Sequence, residues 1–271
     1  MKKIKHAMLL LSLLVTLSTV PAFADDALLA AINGAQRSDV HKARDAARHP
    51  QQTLEFFGIT PSMTVVELNP GGGWYTEILA PYLRPHGHLI EAYPDPKSKD
   101  EENRNDAAGI QKKIKANPEI YDKIKSATFE PPEKIKIAAD NSVDLVLTFR
   151  NVHNWVSFGD VKMQALFTSI FKSLKRGGVF GVVDHRLPAD KEQDKDASSG
   201  YVLESYVIKM AESAGFKLAD RSEINANPKD NADHKNGVWA LPPTFANKDE
   251  DHQKYADIGE SDRMTLKFVK P

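Results

Sequence analysis

The sequence predicts an α/β fold in which a doubly wound, mostly parallel sheet carries helices on both faces. Short apolar runs that predict buried strands alternate with segments that predict helices, and this alternation favours parallel strands joined by crossover helices. One such strand runs into three glycines, Gly71, Gly72 and Gly73, and then into a helix. That layout lets backbone N–H groups and a helix N-terminus approach a polar ligand. The chain has 271 residues, enough for one domain with a large core.

Residues 1–24 have the pattern of a secretory signal peptide. Three lysines within the first five residues form a basic start, residues 7–20 are almost wholly apolar, and Ala22-Phe23-Ala24 matches an A-x-A cleavage site. The alternative is a membrane anchor, but an apolar run of about 14 residues is short for a span that needs roughly 20. We therefore expect export to the periplasm, with a mature protein that begins at Asp25 and keeps no stable membrane anchor.

The composition excludes several classes of function. The chain has no cysteine, which excludes disulfides, thiolate chemistry and lipid attachment at a cysteine. It has 36 Lys and Arg residues against 37 Asp and Glu, for a formal net charge of -1, and removal of the three signal lysines would make it about -4. Because the charges are interspersed, we expect a small-molecule substrate and no nucleic-acid partner. The oligomeric state stays open.

The first half of the chain predicts an N-terminal helical extension, residues 25–60, and then strands alternating with helices. Ser38 is suited to cap the helix of the extension, and Pro50 interrupts it. The next two strands are apolar runs after proline-containing turns, whereas the following helix is lysine- and acid-rich, solvated and interrupted by Pro118. In chain order, these elements are the helix at 37–58, the strand at 63–68, the helix at 76–83, the strand at 88–92, the helix at 95–122 and a weak strand at 126–129.

The second half continues the alternation. Its first strand is an almost unbroken apolar run, and the amphipathic helix after it is expected to end at Lys175-Arg176-Gly177-Gly178. In chain order, these elements are the strand at 143–149, the helix at 161–174, the strand at 178–183, the helix at 201–214 and the strands at 216–221 and 264–269. Between the last two strands lies an insertion, residues 225–262, with three prolines and little periodicity. A loop of that length is typical of a lid or a binding loop.

Four motifs resemble those of the class I S-adenosylmethionine-dependent methyltransferases, in the same order along the chain. They are the run from Glu67 to Gly73, the strand end Ile90-Glu91-Ala92, the run Asp144-Leu145-Val146-Leu147 and the run from Leu174 to Phe180. The resemblance covers residues 50–221. It implies a seven-stranded Rossmann-like sheet in the order 3-2-1-4-5-7-6 with the last strand antiparallel, and S-adenosylmethionine as the cofactor. Residues 225–262 would then be an insertion between strands six and seven of a single domain, residues 25–271.

The chain is also similar to a group of exported bacterial methyltransferase-like proteins. That group is marked by Arg-Asp and Arg-His-Pro, here Arg44-Asp45 and Arg48-His49-Pro50, and by a run like the one from Phe149 to Trp155. This resemblance implies no particular substrate.

The resemblance implies a cofactor site around the first glycine loop. The family pattern there is acid-x-Gly-x-Gly-x-Gly, whose glycines allow a tight turn under the methionine part of the cofactor. Glu67, Gly71 and Gly73 match this pattern, whereas Asn69 and Pro70 replace the first glycine and its follower. Asparagine tolerates positive φ, and proline removes one backbone donor. Glu67 either binds the amino group of the ligand or caps the glycine turn.

Two further acids are candidates for the nucleoside part of the cofactor. Glu91 ends the second strand, 18 residues after Gly73, where an acid can accept two hydrogen bonds from a ribose diol; the alternative is a solvated carboxylate. Glu130 follows the weak third strand and is, by analogy with the family, the candidate for the adenine edge.

The catalytic candidates are His153, Asp184 and His185. His153 follows the fourth strand and the other two end the fifth, so all three belong to the carboxyl edge where open sheets bind ligands. A neutral imidazole can take a proton from an oxygen or nitrogen acceptor; the alternative is a histidine hydrogen-bonded under a loop. The three side chains would also suit a divalent metal, but no H-x-x-x-H or H-x-E spacing indicates a dedicated metal site.

Together these features predict an S-adenosylmethionine-dependent methyltransferase that acts on a small-molecule acceptor in the periplasm. In-line methyl displacement requires mainly that donor and acceptor are aligned, so no covalent protein intermediate is needed. Two alternatives stay open. One is a non-catalytic protein with the same fold that binds another metabolite, in which case Asn69-Pro70 replaces the family pattern because the ligand is different. The other is a metal-assisted hydrolase that uses His153, Asp184 and His185.

Overall fold

Eight strands form one mixed sheet in the computed structural model, which describes residues 26–271. They are β1 (Thr64–Leu68), β2 (His88–Tyr93), β3 (Lys125–Thr128), β4 (Val143–Phe149), β5 (Leu174–Leu187), β6 (Val202–Leu203), β7 (Lys217–Ser222) and β8 (Arg263–Val269). Their order is β3-β2-β1-β4-β5-β8-β7, with the short β6 beside the end of β5. β8 runs antiparallel to β5 and β7, and the other pairs are parallel. The predicted order and the antiparallel strand are confirmed, and β6 is an eighth strand that the sequence does not predict.

Eleven α-helices and one 3₁₀ helix connect these strands within the same residues. They are α1 (Asp26–Asn33), α2 (Asp39–Lys42), α3 (Asp45–Arg48), α4 (Pro50–Phe57), α5 (Thr76–Leu83), α6 (Glu101–Ala116), α7 (Pro118–Tyr121), α8 (Val152–Val156), α9 (Asp160–Ser173), α10 (Glu204–Ser213), the 3₁₀ helix Gly237–Ala240 and α11 (His252–Ile258). None of these helices is long and apolar enough to cross a membrane. The predicted signal peptide, residues 1–24, lies outside the described residues.

β1 and β4 lie at the centre of the sheet and bury both faces. Because neighbouring residues of a strand point to opposite faces, Val65 and Leu147 pack with α4 and α5 on one side. Val66 and Val146 pack with α9 and α10 on the other side. Strands buried on both faces are mostly apolar, which explains their clear pattern in the sequence. The carboxyl ends of these strands meet at one edge of the sheet, where the candidate site lies.

The N-terminal extension contains α2, α3 and α4 where the sequence predicts one interrupted helix. His49 adopts a left-handed conformation with φ of 42° directly before Pro50. The helical region is disfavoured for a residue before proline, so the chain breaks there into α3 and α4. Ser38 caps α2 as predicted, since its hydroxyl accepts a hydrogen bond of 3.2 Å from the backbone N–H of His41.

The passage from α9 to β5 differs from the prediction. The helix ends at Ser173 and the strand begins at Leu174, so the predicted glycine stop is wrong. Gly177 lies within the strand, and its N–H donates to the carbonyl of Lys270 at 2.8 Å. β5 also continues to Leu187, because β8 and β6 both pair with it.

The insertion, residues 225–262, lies between β7 and β8 and contains the 3₁₀ helix and α11. Its first residue is fastened to the body of the protein, because the Asn225 amide donates to the hydroxyls of Thr53 and Thr265, both at 3.0 Å. Its function as a lid stays a prediction.

Candidate active site

The turn after β1 contains three residues with positive φ: Asn69 at 44°, Gly71 at 54° and Gly73 at 76°. Asparagine adopts this conformation more readily than most non-glycine residues, so the turn survives the replacement of a glycine. A Cβ on Gly71 would meet no atom within 4 Å, whereas a Cβ on Gly73 would lie 2.8 Å from Cδ of Lys113 on α6. Gly71 is therefore needed for its positive φ, since a side chain there would meet no other atom, whereas Gly73 also permits the close approach of α6.

A cavity of about 300 Å³ lies at the carboxyl ends of β1, β2 and β3, beside α6 and α8. Three of the predicted cofactor residues line it: Asn69, Gly71 and Glu130. The other lining residues include Pro70, Tyr93, Glu102, Asp106, Phe129 and Trp155. This edge of an open α/β sheet is where ligands bind, and a concave pocket with apolar walls and a few polar groups is typical of small-molecule sites.

The charged residues that line the cavity are all acids, namely Glu102, Asp106 and Glu130. Burial and then the negative charge of Glu102 raise the pKa of Asp106. Burial also acts to raise the pKa of Glu130, but hydrogen bonds from Ser98 and Lys134 outweigh it and lower this pKa. Glu130 is therefore ionised at neutral pH, and the cavity favours a ligand with positive charge.

Two asparagines shape the wall of the cavity nearest the sheet. Nδ2 of Asn151 donates to the carbonyl of Leu68 at 2.9 Å and to Oγ1 of Thr148 at 3.1 Å, and so joins the ends of β1 and β4. Oδ1 of Asn69 is buried and has no hydrogen-bond partner among the described residues. Because buried acceptors are normally paired, Asn69 offers a free acceptor to a donor on a ligand.

Glu67 and Glu91 lie behind the glycine turn and do not line the cavity. They are directly opposite each other on β1 and β2, with 2% and 0% of their surfaces exposed. Oγ1 of Thr76 donates to Oε2 of Glu67 at 2.9 Å. Burial raises the pKa of Glu67 to about 7. Burial and then the charge of Glu67 raise the pKa of Glu91 well above its usual value, so the pair holds at least one proton at neutral pH.

The position of Glu91 follows from the length of β2. The strand runs to Tyr93, one residue past the predicted end, and Tyr93 is the β2 residue that reaches the cavity. Residues two apart share a face of a strand, so Glu91 lies on the same face but deeper in the sheet. The structure therefore does not bring Glu91 to the place predicted for ribose binding.

His153, on α8, and Asp184, on β5, form a buried hydrogen-bonded pair. Nδ1 of His153 lies 2.8 Å from Oδ1 of Asp184, and the two side chains are 7% and 0% exposed. Because an ionised carboxylate only accepts hydrogen bonds, Nδ1 carries the proton and Nε2 is the free, basic nitrogen. Oδ2 of Asp184 accepts from the backbone N–H groups of Val152, at 2.5 Å, and His153, at 3.3 Å. A histidine oriented by a fixed carboxylate is an arrangement suited to general-base catalysis.

His185 lies beside His153, with the ring centroids 5.1 Å apart. Its Nδ1 lies 2.5 Å from Oγ of Ser261. Burial is the largest cause that lowers the pKa of His185 well below its usual value, followed by a protonated His153 and by the charge of Arg150, so this ring is neutral at neutral pH. The insertion contributes Trp239, whose ring centroid lies 6.3 Å from that of His153. The structure thus brings the three catalytic candidates together.

The potential ligand atoms of His153, Asp184 and His185 all lie within 4.8 Å of one another. Asp184 is fully engaged, however. Its Oδ1 accepts from His153 Nδ1 and from the backbone N–H of His185, and Oδ2 accepts from two further backbone N–H groups. Two imidazole nitrogens are left, fewer than the three protein ligands of a typical catalytic zinc site. The hydrogen bonding therefore favours a catalytic pair over a metal centre.

The sequence does not reveal the part of the cavity wall that α6 forms. Glu102 and Asp106 belong to this lysine- and acid-rich helix, which the sequence predicts to be solvated apart from a few apolar anchors. Their spacing of four residues, which places two acids on one helix face, is the signal that identifies them.

No model of a protein family matches the chain, and no curated protein matches it. Solved structures do match. A SAM-dependent methyltransferase from Aquifex aeolicus is 17% identical with a TM-score of 0.54, over 84% of this chain and 93% of that one. A geranyl diphosphate methyltransferase in complex with SAM is 12% identical with a TM-score of 0.57, over 90% of this chain and 95% of that one. The cyclase SpnF is 15% identical with a TM-score of 0.52, over 90% and 91%.

At these identities the likeness concerns the fold, which does not by itself fix an activity. The strand order and the antiparallel β8 agree with it. The chain therefore has the Rossmann-like fold of the class I S-adenosylmethionine-dependent methyltransferases.

Proposed function

We propose that the protein is an S-adenosylmethionine-dependent methyltransferase that acts on a small-molecule acceptor, with His153 as the general base. One observation carries this proposal: an acidic cavity beside a glycine turn lies at the same sheet edge as a histidine whose free Nε2 is oriented by Asp184. The methyltransferase fold supports it, since the solved structures that share the fold include one in complex with SAM.

The cavity suits S-adenosylmethionine in charge and in hydrogen bonding. The sulfonium and ammonium groups of this cofactor are positive, and the charged residues that line the cavity are acids. Oδ1 of Asn69 is a free acceptor for an amino group. Glu130 lines the cavity where the nucleoside would lie, although its carboxylate already accepts from Ser98 and Lys134. When bound, the cofactor would supply an activated methyl group.

The residues at this edge would position the acceptor and move one proton. His153 would take the proton of an acceptor hydroxyl or amine at Nε2, while the bound cofactor would give up its methyl group to the acceptor and leave as S-adenosylhomocysteine. Asp184 stabilises the imidazolium that forms, because its Oδ1 already accepts from Nδ1. His185 is neutral and adds no competing charge.

We extend the proposal to the periplasm on the basis of the signal-peptide pattern in residues 1–24. Fractionation of the native host should find, outside the cytoplasm, a form that lacks these residues. A full-length protein confined to the cytoplasm would contradict this part of the proposal.

Calorimetric titration of the purified protein with S-adenosylmethionine and S-adenosylhomocysteine tests the donor site. We expect saturable binding of both ligands and its loss in Gly71→Val, because valine is strained at φ of 54°. Gly109→Val is the matched control, since a Cβ there also meets no atom within 4 Å, and it should bind both ligands. A folded wild-type protein that binds neither ligand at millimolar concentration would overturn the proposal.

The same experiments separate the alternatives. A metabolite-binding protein would bind a ligand at the cavity without releasing S-adenosylhomocysteine in the presence of any acceptor. Stoichiometric zinc or manganese, found by elemental analysis, would favour the hydrolase, against which the four hydrogen bonds of Asp184 argue.

A further inference from the structure

Four arginines and one glutamate lie together beside the catalytic pair. Glu260 accepts hydrogen bonds from Nε of Arg44 at 2.6 Å and from Nε of Arg48 at 3.3 Å. It also accepts from Nη1 of Arg263 at 3.0 Å. Arg150, the first residue after β4, is close enough for its charge to lower the pKa of Arg48. The side chains of Arg44, Arg48, Arg150 and Arg263 form the arginine cluster.

The arginine cluster has more donors than acceptors. Arg48 and Arg263 are 4% and 3% exposed, yet Nη2 of Arg48 and Nε of Arg263 have no hydrogen-bond partner among the described residues. The buried Nη2 of Arg44 also lacks one within this part of the chain. The guanidinium of Arg150 makes no hydrogen bond or ion pair within residues 26–271. Because buried donors without acceptors are costly, the unpaired nitrogens of Arg44, Arg48 and Arg263 indicate a missing acceptor, and the partly exposed Arg150 adds a further donor beside them.

The arginine cluster also carries excess positive charge. Burial, and then the charges of Arg263 and Arg44, lower the pKa of Arg150 to about 10, against the opposing charges of Glu260 and Asp184. Burial and then the charge of Arg150 lower the pKa of Arg48 to about 9. A bound anion would relieve this repulsion.

A structural role explains only part of the cluster. Arg263 donates to the carbonyl of Ala47 at 2.6 Å, and the guanidinium of Arg48 lies 4.6 Å from the centre of the Trp74 ring, so both fasten the N-terminal extension to the body. Arg150 has no such tie. Its backbone is left-handed, with φ of 63°, and backbone strain of this kind at a non-glycine residue is concentrated at functional sites.

We infer that the arginine cluster binds an oxyanion, a carboxylate or a phosphate, of the methyl acceptor. Guanidinium groups match the bidentate geometry of both anions. The cavity beside the glycine turn, which we call the donor cavity, is lined by acids, whereas the arginine cluster is basic. A cationic cofactor and an anionic acceptor would therefore be held on different parts of one sheet edge. The link to a methyl acceptor rests on the proposed function, whereas anion binding does not.

Titration of the purified protein with inorganic phosphate and with acetate, at constant ionic strength and without cofactor, tests the inference. We expect a saturable rise in Tm with at least one of them, and the one that acts identifies the class of anion. Arg150→Gln should weaken this binding by about tenfold or more, the worth of one charged hydrogen bond. Arg44, whose side chain is 21% exposed, provides a second variant, Arg44→Gln, which should also weaken the binding. Arg84→Gln, which removes a guanidinium from a surface pair with Asp122, should change nothing.

Two outcomes would overturn the inference: no saturable rise with either anion, or equal anion binding by the wild type and both cluster variants. Titration of the same proteins with S-adenosylmethionine keeps this result apart from the proposed function. Cofactor binding without anion binding refutes only the anion site and leaves the proposed function standing. Anion binding without cofactor binding refutes the methyltransferase and leaves the anion site standing.

Discussion

The substitution Glu67→Gln should remove a pH-dependent loss of stability that the buried carboxyl pair creates. Burial raises the pKa of Glu67 from 4.5 to about 7 in the folded protein, whereas an unfolded chain keeps the ordinary pKa. The folded state therefore binds more protons than the unfolded state between these pH values, and stability falls as the pH rises through them. Since a tenfold difference in proton affinity corresponds to about 1.4 kcal/mol, Glu67 costs the folded protein about 2 to 3 kcal/mol between pH 5 and pH 8.

Urea unfolding at pH 5, 6, 7 and 8 measures this effect. The free energy of unfolding of Glu67→Gln minus that of the wild type should increase by about 2 to 3 kcal/mol from pH 5 to pH 8. Taking the difference cancels the titration of groups that behave alike in both proteins. Glu212→Gln changes an exposed glutamate on α10, and its difference should stay constant. A constant difference for Glu67→Gln would refute the assignment of a protonated, buried pair.

Three further substitutions test the packing and the chemistry. Trp74→Ala should destabilise the protein by about 3 kcal/mol or more in urea unfolding, because the ring is 7% exposed and has guanidinium groups at 4.7 and 4.6 Å from its centre. Gly181→Ala should cost about 1 to 3 kcal/mol in thermal unfolding, since its Cβ would lie 2.8 Å from both Phe57 and Leu147. His153→Gln should slow methyl transfer by about 100-fold or more, measured as release of S-adenosylhomocysteine, with the affinity for the cofactor unchanged.

Each of these substitutions has a matched control. Trp239→Ala removes an indole that is 40% exposed and should cost less than Trp74→Ala; equal costs would contradict burial as the cause. Gly72→Ala adds a Cβ with no atom within 4 Å, so a cost comparable to that of Gly181→Ala would contradict the steric argument. His88→Gln changes an exposed histidine at the start of β2. An equal loss of activity in this variant would argue against His153 as the base.

The strands could be predicted where burial on both faces makes most residues apolar, as in β1 and β4. The break at His49 also has a local signal, because proline follows it. The start of β5 at Leu174 has none, since it depends on pairing with Val143 in a distant part of the chain. Elements set by their own residues were therefore predictable, and boundaries set by pairing were not.

The candidate site divides in the same way. Asn69, Gly71 and Glu130 line the cavity; the glycine-turn pattern predicts the first two there, and the family resemblance implies the third. Glu91 does not line the cavity, because a small difference in strand length decides whether its carboxylate reaches the cavity or is buried. The arginine cluster could not be predicted at all: Arg44 and Glu260 are 216 positions apart, and one sequence holds no signal that pairs them.

Asp184 joins two parts of the site that protein engineering would need to vary separately. Its carboxylate fixes the tautomer of His153 and accepts from the first N–H groups of α8. α8 in turn supplies Asn154 and Trp155 to the wall of the donor cavity. A change that moves this carboxylate therefore alters His153 and the wall of the cavity together. Under the proposed function, altered acceptor specificity is better sought at partly exposed side chains such as Arg44, where a substitution leaves that shared support in place.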